Sequence, residues 1–260
     1  MRCPRRGVAA LPTAFPIPSD VRDAVPTFNK DTALYVLRRV LRIPSAQWTS
    51  SGQLEAVQAL CEWKQDVIIT LPTGSGKSIV LPTVASLESS SFITVVLCPL
   101  NSLLEDWHRR LDAIAYPHQV YDSVSPCITS QYSVVVASLD AAVTPAFQQA
   151  MASVSAPRSI RRIVIDEAHL VISDLHFRAV MQKVGHIRRS RLQFVLISAT
   201  IPPSAESLLC QLTNVNYPHH AVIIREPSNR YELQFFLHAT VEDCVEEVRG
   251  SRRLFFGWAS

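Results

Sequence analysis

Apolar residues fall in short blocks along this chain, and the blocks alternate between two periods. Runs rich in Val and Ile occur at 67–70, 93–98, 133–137, 162–165, 193–197 and 221–224. Each holds three or more consecutive apolar residues instead of alternating, as strands covered on both faces do. Between them lie stretches with helical spacing near 77–88, 102–114, 143–152, 176–189 and 203–213. Strands alternating with helices predict an α/β fold, a mostly parallel sheet with helices on both faces. Two more helices are predicted ahead of the first strand. Asp31 can cap one running to about Ile43, with Leu34, Val36, Leu37, Val40 and Leu41 as its apolar positions and Pro44 as its stop. The other covers Gln53 to Trp63. No internal repeat is present.

This pattern divides the chain into three parts. Residues 1–29 are proline-rich and aperiodic, and read as a flexible flank; its early arginines resemble a transit peptide, but its prolines oppose an amphipathic helix. Residues 30–226 form the periodic domain, and 227–260 follow it. At 260 residues and 48% apolar composition, the chain can bury one large core. The net charge of +3 is too mild to argue for nucleic acid alone. No apolar run reaches the ~20 residues that span a bilayer, so no membrane partner is expected. The six cysteines are scattered with no CxxC pair, which predicts reduced thiols and no zinc site among them.

Three strand ends carry the candidate chemistry. Leu71-Pro72-Thr73-Gly74-Ser75-Gly76-Lys77-Ser78 follows the apolar run Val67-Ile68-Ile69 and precedes a helical stretch. That context suits a phosphate-binding loop. Gly74 and Gly76 let backbone N–H groups of Thr73, Ser75 and their neighbours curl toward a phosphate, and the helix N-terminus adds partial positive charge. Lys77 is placed to reach the β- and γ-phosphates of ATP, and Ser78 to coordinate Mg²⁺. Lysine occurs only at Lys30, Lys64, Lys77 and Lys183, which lends weight to the one in this loop. The second strand end is Ile163-Val164-Ile165-Asp166-Glu167-Ala168-His169. Asp166 is the candidate to hold Mg²⁺, and Glu167 to orient and polarise the attacking water. The third is Ser198-Ala199-Thr200, where small hydroxyls can bridge to those acids, with His169 beside them as part of the same coupling set.

Together, in this order and spacing, these motifs resemble motifs I, II and III of superfamily 2 helicases. Leu71 stands where the strict phosphate loop has glycine, a position that helicase-type loops relax. Pro99-Leu100-Asn101-Ser102-Leu103-Leu104-Glu105-Asp106 is similar to motif Ia of RecQ-type DNA helicases. Ser51-Gly52-Gln53 resembles the end of their motif 0, which makes Gln53 the candidate adenine contact. That motif has an arginine where this chain has Ser50. His176, Phe177 and Arg178 resemble the second half of the aromatic-rich loop that couples DNA to the ATPase, although its tryptophan is absent. Phe177 is open between that loop and a place in the core. Arg225 to Tyr231 resembles the junction between the two motor domains.

The resemblance implies a RecA-like ATP-binding domain that uses ATP and Mg²⁺ in an ATP-dependent 3′–5′ DNA helicase. It implies single-stranded or forked DNA as partner, contacted through Asn101, Ser102, Ser138, Phe177 and Arg178. It also implies a nuclear place in DNA repair and recombination. Motifs IV to VI and their arginine are expected from a second RecA-like domain, in cis or in trans, of which 227–260 would be a truncated start. Two alternatives stay open: an RNA-directed ATPase of another branch, and a non-motor ATP-binding module derived from a helicase. Arg161, Arg162, Arg188, Arg189 and Arg191 read as solvated helix and strand ends. Trp48, Trp63, Trp107 and Trp258 read as packing residues.

Overall fold

The computed structural model describes residues 28–63, 65–88, 91–154, 158–188, 192–215 and 221–227. The flank before Phe28, Trp258 and the expected linker beyond Pro227 lie outside these residues. The first helix, α1 (Lys30–Leu41), is capped two residues earlier than Asp31 suggested: the Asn29 side chain accepts from the N–H groups of Asp31 and Thr32, both at 2.9 Å. Asp31 sits in the first turn, where its charge favours the helix dipole. Helix α2 (Ser51–Glu62) is capped by Ser50, whose Oγ accepts from the Gln53 N–H at 3.2 Å. The residue that departs from the helicase motif thus starts the helix that carries Gln53.

Seven strands follow: β1 (Asp66–Thr70), β2 (Phe92–Cys98), β3 (Gln119–Val120), β4 (Val134–Ser138), β5 (Ser159–Ile165), β6 (Gln193–Ser198) and β7 (Ala221–Arg225). They form one sheet in the order β3-β4-β2-β5-β6-β1-β7. Every pairing is parallel, so all carboxyl ends share one edge. Strand β3, which the apolar pattern did not predict, is a two-residue edge strand, too short to leave a periodic signal.

Alternation along each strand feeds two cores. Ile68, Ile93, Val95, Leu97, Ile163, Ile165, Phe194 and Leu196 face one side. Val67, Ile69, Val96, Val164, Val195 and Ile197 face the other. On the second side lie α1, α2, α3 (Lys77–Leu87) and α4 (Asn101–Ala113), through residues such as Ala33, Leu60, Val84 and Leu111. On the first side lie α5 (Leu139–Ala142), α6 (Pro145–Ala152), α7 (Leu170–Ser173) and α8 (Pro203–Thr213). The doubly covered parallel sheet is as the run pattern predicted.

The helix expected at 143–152 is present as α6, which starts at Pro145 after the Thr144 cap, and the one-turn α5 precedes it. The helix expected at 176–189 is instead a 3-10 stretch at Met181–Ile187. Met181, Val184 and Ile187 are buried at a strict spacing of three, which a three-residue turn aligns on one side.

The arginine reading also needs correction. Arg162 is 0% exposed and Arg161 is 7% exposed, so neither is a solvated strand end. The Arg161 guanidinium stacks between Trp63 and Phe92, at 4.6 and 4.2 Å from their ring centres. Arg188 pairs with the buried Asp66 at 2.6 Å. Arg189 and Arg191 lie outside the described residues. Cys61, Cys98 and Cys210 are free and buried, as expected for reduced thiols, whereas Cys127 is disulfide-bonded. Among the described residues no helix is long and apolar enough to cross a membrane.

Candidate functional site

The shared carboxyl edge of the sheet gathers the three sequence motifs. Strand β1 ends at Thr70 and runs into the loop that starts α3. Strands β5 and β6 end at the acids and at Ser198, and β6 lies between β5 and β1. The Leu71 N–H donates to the Ser198 carbonyl at 3.2 Å, which sews the start of the loop to the end of β6.

The loop is shaped by its glycines and by α2. Gly74 and Gly76 have φ of 86° and 75°, a region open to glycine at little cost. A Cβ on Gly76 would meet the Gln53 amide nitrogen at 2.5 Å. Gln53 is buried against the loop: its Nε2 donates to the Gly76 carbonyl at 3.1 Å. Its Oε1 accepts from the Thr49 N–H at 2.9 Å, with the Thr49 hydroxyl 3.0 Å away. The single Thr49 hydroxyl proton points to the nearer Ser75 carbonyl, at 2.5 Å. Gly52 permits close packing, since a Cβ there would sit 2.6 Å from the Leu71 side chain.

Lys77 begins α3 and folds back over the loop. Its ammonium donates to the Leu71 and Pro72 carbonyls at 2.8 and 3.0 Å. Partial burial pulls its pKa below the usual lysine value, while Glu167 and Asp166 oppose that shift. Ser78 follows, half-buried, in the first turn. Pro82 one turn later has no N–H to give the Ser78 carbonyl.

The acids sit two strands away. The Asp166 N–H donates to the Leu97 carbonyl at 3.0 Å, and its carboxylate accepts from the Trp107 indole N–H at 2.6 Å. Burial raises the Asp166 pKa; the Trp107 bond lowers it, the Glu167 charge raises it, and the Glu167 backbone N–H and Lys77 lower it. Glu167 has φ of 45°, a left-handed conformation that is costly for a residue with a side chain. Its carboxyl is held below the usual range, first by His169, against the opposing effect of burial.

His169 Nδ1 lies 2.8 Å from Ser198 Oγ and 3.2 Å from Glu167 Oε2. Ser198 Oγ lies 3.4 Å from that same Glu167 oxygen and accepts from the Thr200 N–H at 3.2 Å. One assignment satisfies every group. The His169 Nδ1–H and the Thr200 N–H donate to Ser198 Oγ, and the Ser198 hydroxyl donates to Glu167. Thr200 therefore joins through its backbone, with its residue exposed.

This edge can hold a phosphate chain and a divalent ion. The loop, the Lys77 ammonium and the helix start supply positive charge, and Ser78 and Asp166 supply hard oxygen ligands. The neighbouring strand ends carry the other sequence candidates. Asn101 and Ser102 open α4 and are exposed. Ser138 caps α5 by accepting from the Ala141 N–H at 3.1 Å. Phe177 is 87% exposed, which places it on the loop surface and outside the core. Arg178 donates to the Pro99 carbonyl at 2.5 Å and to Asp140 at 2.8 Å, so its guanidinium ties three strand-end loops together. Trp107 is the functional contact that sequence reading missed. Its place on the buried face of α4, one residue after the Pro99–Asp106 motif, was the available signal.

Comparison with known proteins points the same way. The DEAD/DEAH box helicase family profile matches residues 50–208. ATP-dependent helicase SGS1 of Saccharomyces cerevisiae is 26% identical over 238 residues, covering 86% of this chain and 16% of that protein. ATP-dependent DNA helicase hus2/rqh1 of Schizosaccharomyces pombe is 29% identical over 200 residues, 70% of this chain and 15% of its own. ATP-dependent DNA helicase Q5 of Mus musculus is 26% identical over 221 residues, 78% of this chain and 22% of its own. The chain thus spans less than a quarter of the length of each of these relatives.

Proposed function

The chain belongs to the DEAD/DEAH box helicase family, as a helicase motor domain similar to RecQ-type DNA helicases, and on that premise we propose what its residues do. It is the ATP-binding, RecA-like jaw of a 3′–5′ DNA helicase that uses ATP and Mg²⁺. The observation that carries this reading is the shared sheet edge. Strand order sets the phosphate loop on one half, the Pro99–Asp106 and Phe177 segments on the other, and the Asp166–Glu167–His169–Ser198 cluster between them.

Backbone N–H groups of Thr73 to Gly76 wrap the phosphates. Lys77 exchanges its two loop carbonyls for the β- and γ-phosphate oxygens. Ser78 and Asp166 would hold a magnesium ion, which would supply neutralisation of phosphate charge. The Trp107 indole is a positioning group that aims the Asp166 carboxylate. Glu167 is kept ionised at neutral pH, so it can take the proton of the attacking water while the terminal phosphoryl group leaves ADP. Gln53 has a second Nε2 proton to offer an adenine while its other bonds hold Thr49 and Gly76, so base binding and loop geometry are linked. His169, Ser198 and Thr200 relay the state of the Glu167 carboxylate to the end of β6. A second RecA-like domain, in cis or in trans, supplies the arginine that completes the site. The setting is DNA repair or recombination in the nucleus.

Single-stranded or forked DNA lies across Asn101, Ser102, Ser138 and the exposed Phe177 ring, with Arg178 holding that surface in shape. Fluorescence anisotropy with a labelled single strand tests this. DNA should bind more tightly than RNA of the same sequence, and affinity should fall with salt. Phe177→Ala should weaken binding by about 1–3 kcal/mol, the worth of one base stack. RNA preference, or an unchanged Phe177→Ala, overturns the DNA reading.

A further inference from the structure

A second cluster of ligating side chains lies at the far end of α4, away from the phosphate loop. His108 and Asp112 are one helical turn apart on α4, and His118 returns to them just before β3. Their ligand atoms all fall within 4.8 Å of one another, and no other such group occurs among the described residues.

The approach of His118 is built into the chain. Ala115 has φ of 48°, a left-handed conformation that turns the backbone sharply after α4. The Tyr116 N–H closes that turn on the Leu111 carbonyl at 2.8 Å. The Tyr116 hydroxyl is anchored to Ser86 and Ser133, at 3.2 and 3.0 Å. The His118 side chain is 5% exposed, and its Nδ1 lies 2.8 Å from the Tyr116 carbonyl. A carbonyl only accepts, so Nδ1 carries the proton and Nε2 keeps its lone pair. Metal-binding histidines are oriented by this kind of bond from the second ring nitrogen to a carbonyl.

We propose that His108, Asp112 and His118 bind a zinc-class divalent ion. His118 Nε2 lies 2.8 Å from His108 Nδ1 and 4.0 Å from Asp112 Oδ1. Two ligands on one tetrahedral zinc stand roughly 3.3 Å apart, given Zn–N bonds of about 2.0–2.1 Å. The observed spans bracket that value, so each must change by roughly half an ångström or somewhat more. His108 moves its ring proton from Nδ1 to Nε2, on a half-exposed side chain with Asp112 Oδ2 3.6 Å away. The proton count is unchanged. Two imidazoles and one carboxylate suit zinc, nickel or cobalt better than magnesium, which prefers oxygen alone. The partial exposure of His108 and Asp112 leaves room for water as a further ligand. The ion would clamp the end of α4 to the entry of β3, and α4 also bears Trp107 and the Asn101–Ser102 surface.

The test is calorimetric titration of the chelator-stripped full chain with Zn²⁺ in excess Mg²⁺, followed by Co²⁺ absorption spectroscopy. One Zn²⁺ should bind per chain despite the magnesium. The Co²⁺ spectrum should show nitrogen and oxygen ligation without a thiolate charge-transfer band. Burial keeps the Cys61 thiol protonated, its pKa pushed up to about 12. His108→Ala and Asp112→Asn change exposed residues, and each should weaken Zn²⁺ binding by about tenfold or more while unfolding stays cooperative. His118→Gln should do the same, with the two exposed variants guarding against a folding defect. Absence of saturable binding, a thiolate band, or wild-type affinity in both exposed variants overturns the proposal.

Discussion

Strand β5 carries charge at both ends, and the two ends treat it differently. At the amino end Arg162 is 0% exposed, yet all five of its N–H donors have partners. It bonds Gln193, Thr94, the Leu60 carbonyl and both oxygens of Glu88. At the carboxyl end Asp166 is only partly buried, and among the described residues its carboxylate receives one side-chain bond, from Trp107, and a backbone bond from Glu167. Its pKa is raised, and Lys77 nearby is bonded to backbone carbonyls instead of to the acid. A buried charge with every partner supplied by the fold holds elements together. A partly exposed charge with few side-chain partners, at a perturbed pKa, is disposed to bind something. The same strand thus serves as a structural rivet at one end and a reactive edge at the other.

The largest expected effect tests the rivet. Arg162→Ala leaves Glu88 buried without its bidentate partner, and urea unfolding should show a loss of about 3–5 kcal/mol. Arg162→Met should lose less, because it retains packing volume. A loss below about 1 kcal/mol for the alanine variant would erase the contrast between the two ends.

A smaller effect sharpens the other end. Trp107→Phe keeps the ring but removes the indole donor to Asp166. Mg²⁺-dependent nucleotide affinity should fall by roughly fivefold, the worth of about 1 kcal/mol for one hydrogen bond. Stability should change little. The pH profile gives a second readout with a definite sign. The Trp107 bond lowers the Asp166 pKa against burial. Its removal raises that pKa further, so Mg²⁺ binding should fail at a higher pH on acidification than in the wild type. An unshifted profile would reduce Trp107 to packing.

These contacts explain what was legible in the chain and what was not. Strands β1, β5 and β6 and their motifs could be read directly, because apolar runs and turn or acid residues coincide within a few positions. The two-residue β3 has no period to read. The 3-10 stretch looked like a helix, because spacings of three and of three to four overlap over one or two turns. Arg162 was misread as solvated, since its partner Glu88 lies 74 positions away. Trp107 was read correctly as a packing residue, but its bond to Asp166 spans 59 positions and has no local signature. Ser50 was read only as a departure from the helicase motif, although Ser50-x-x-Gln53 is itself a capping pattern. The ATP site was legible because its motifs are local; the long-range contacts that support it emerge only from the fold.

Binding of a fluorescent ATP analogue with Mg²⁺ to the wild type and to Lys77→Ala tests the central claim most directly. Wild type should bind saturably. The variant should lose at least about tenfold to a hundredfold in affinity, the worth of a charge-assisted bond to phosphate, while its thermal unfolding stays cooperative. Equal affinity in a folded Lys77→Ala protein would contradict the phosphate-loop assignment and the account built on it.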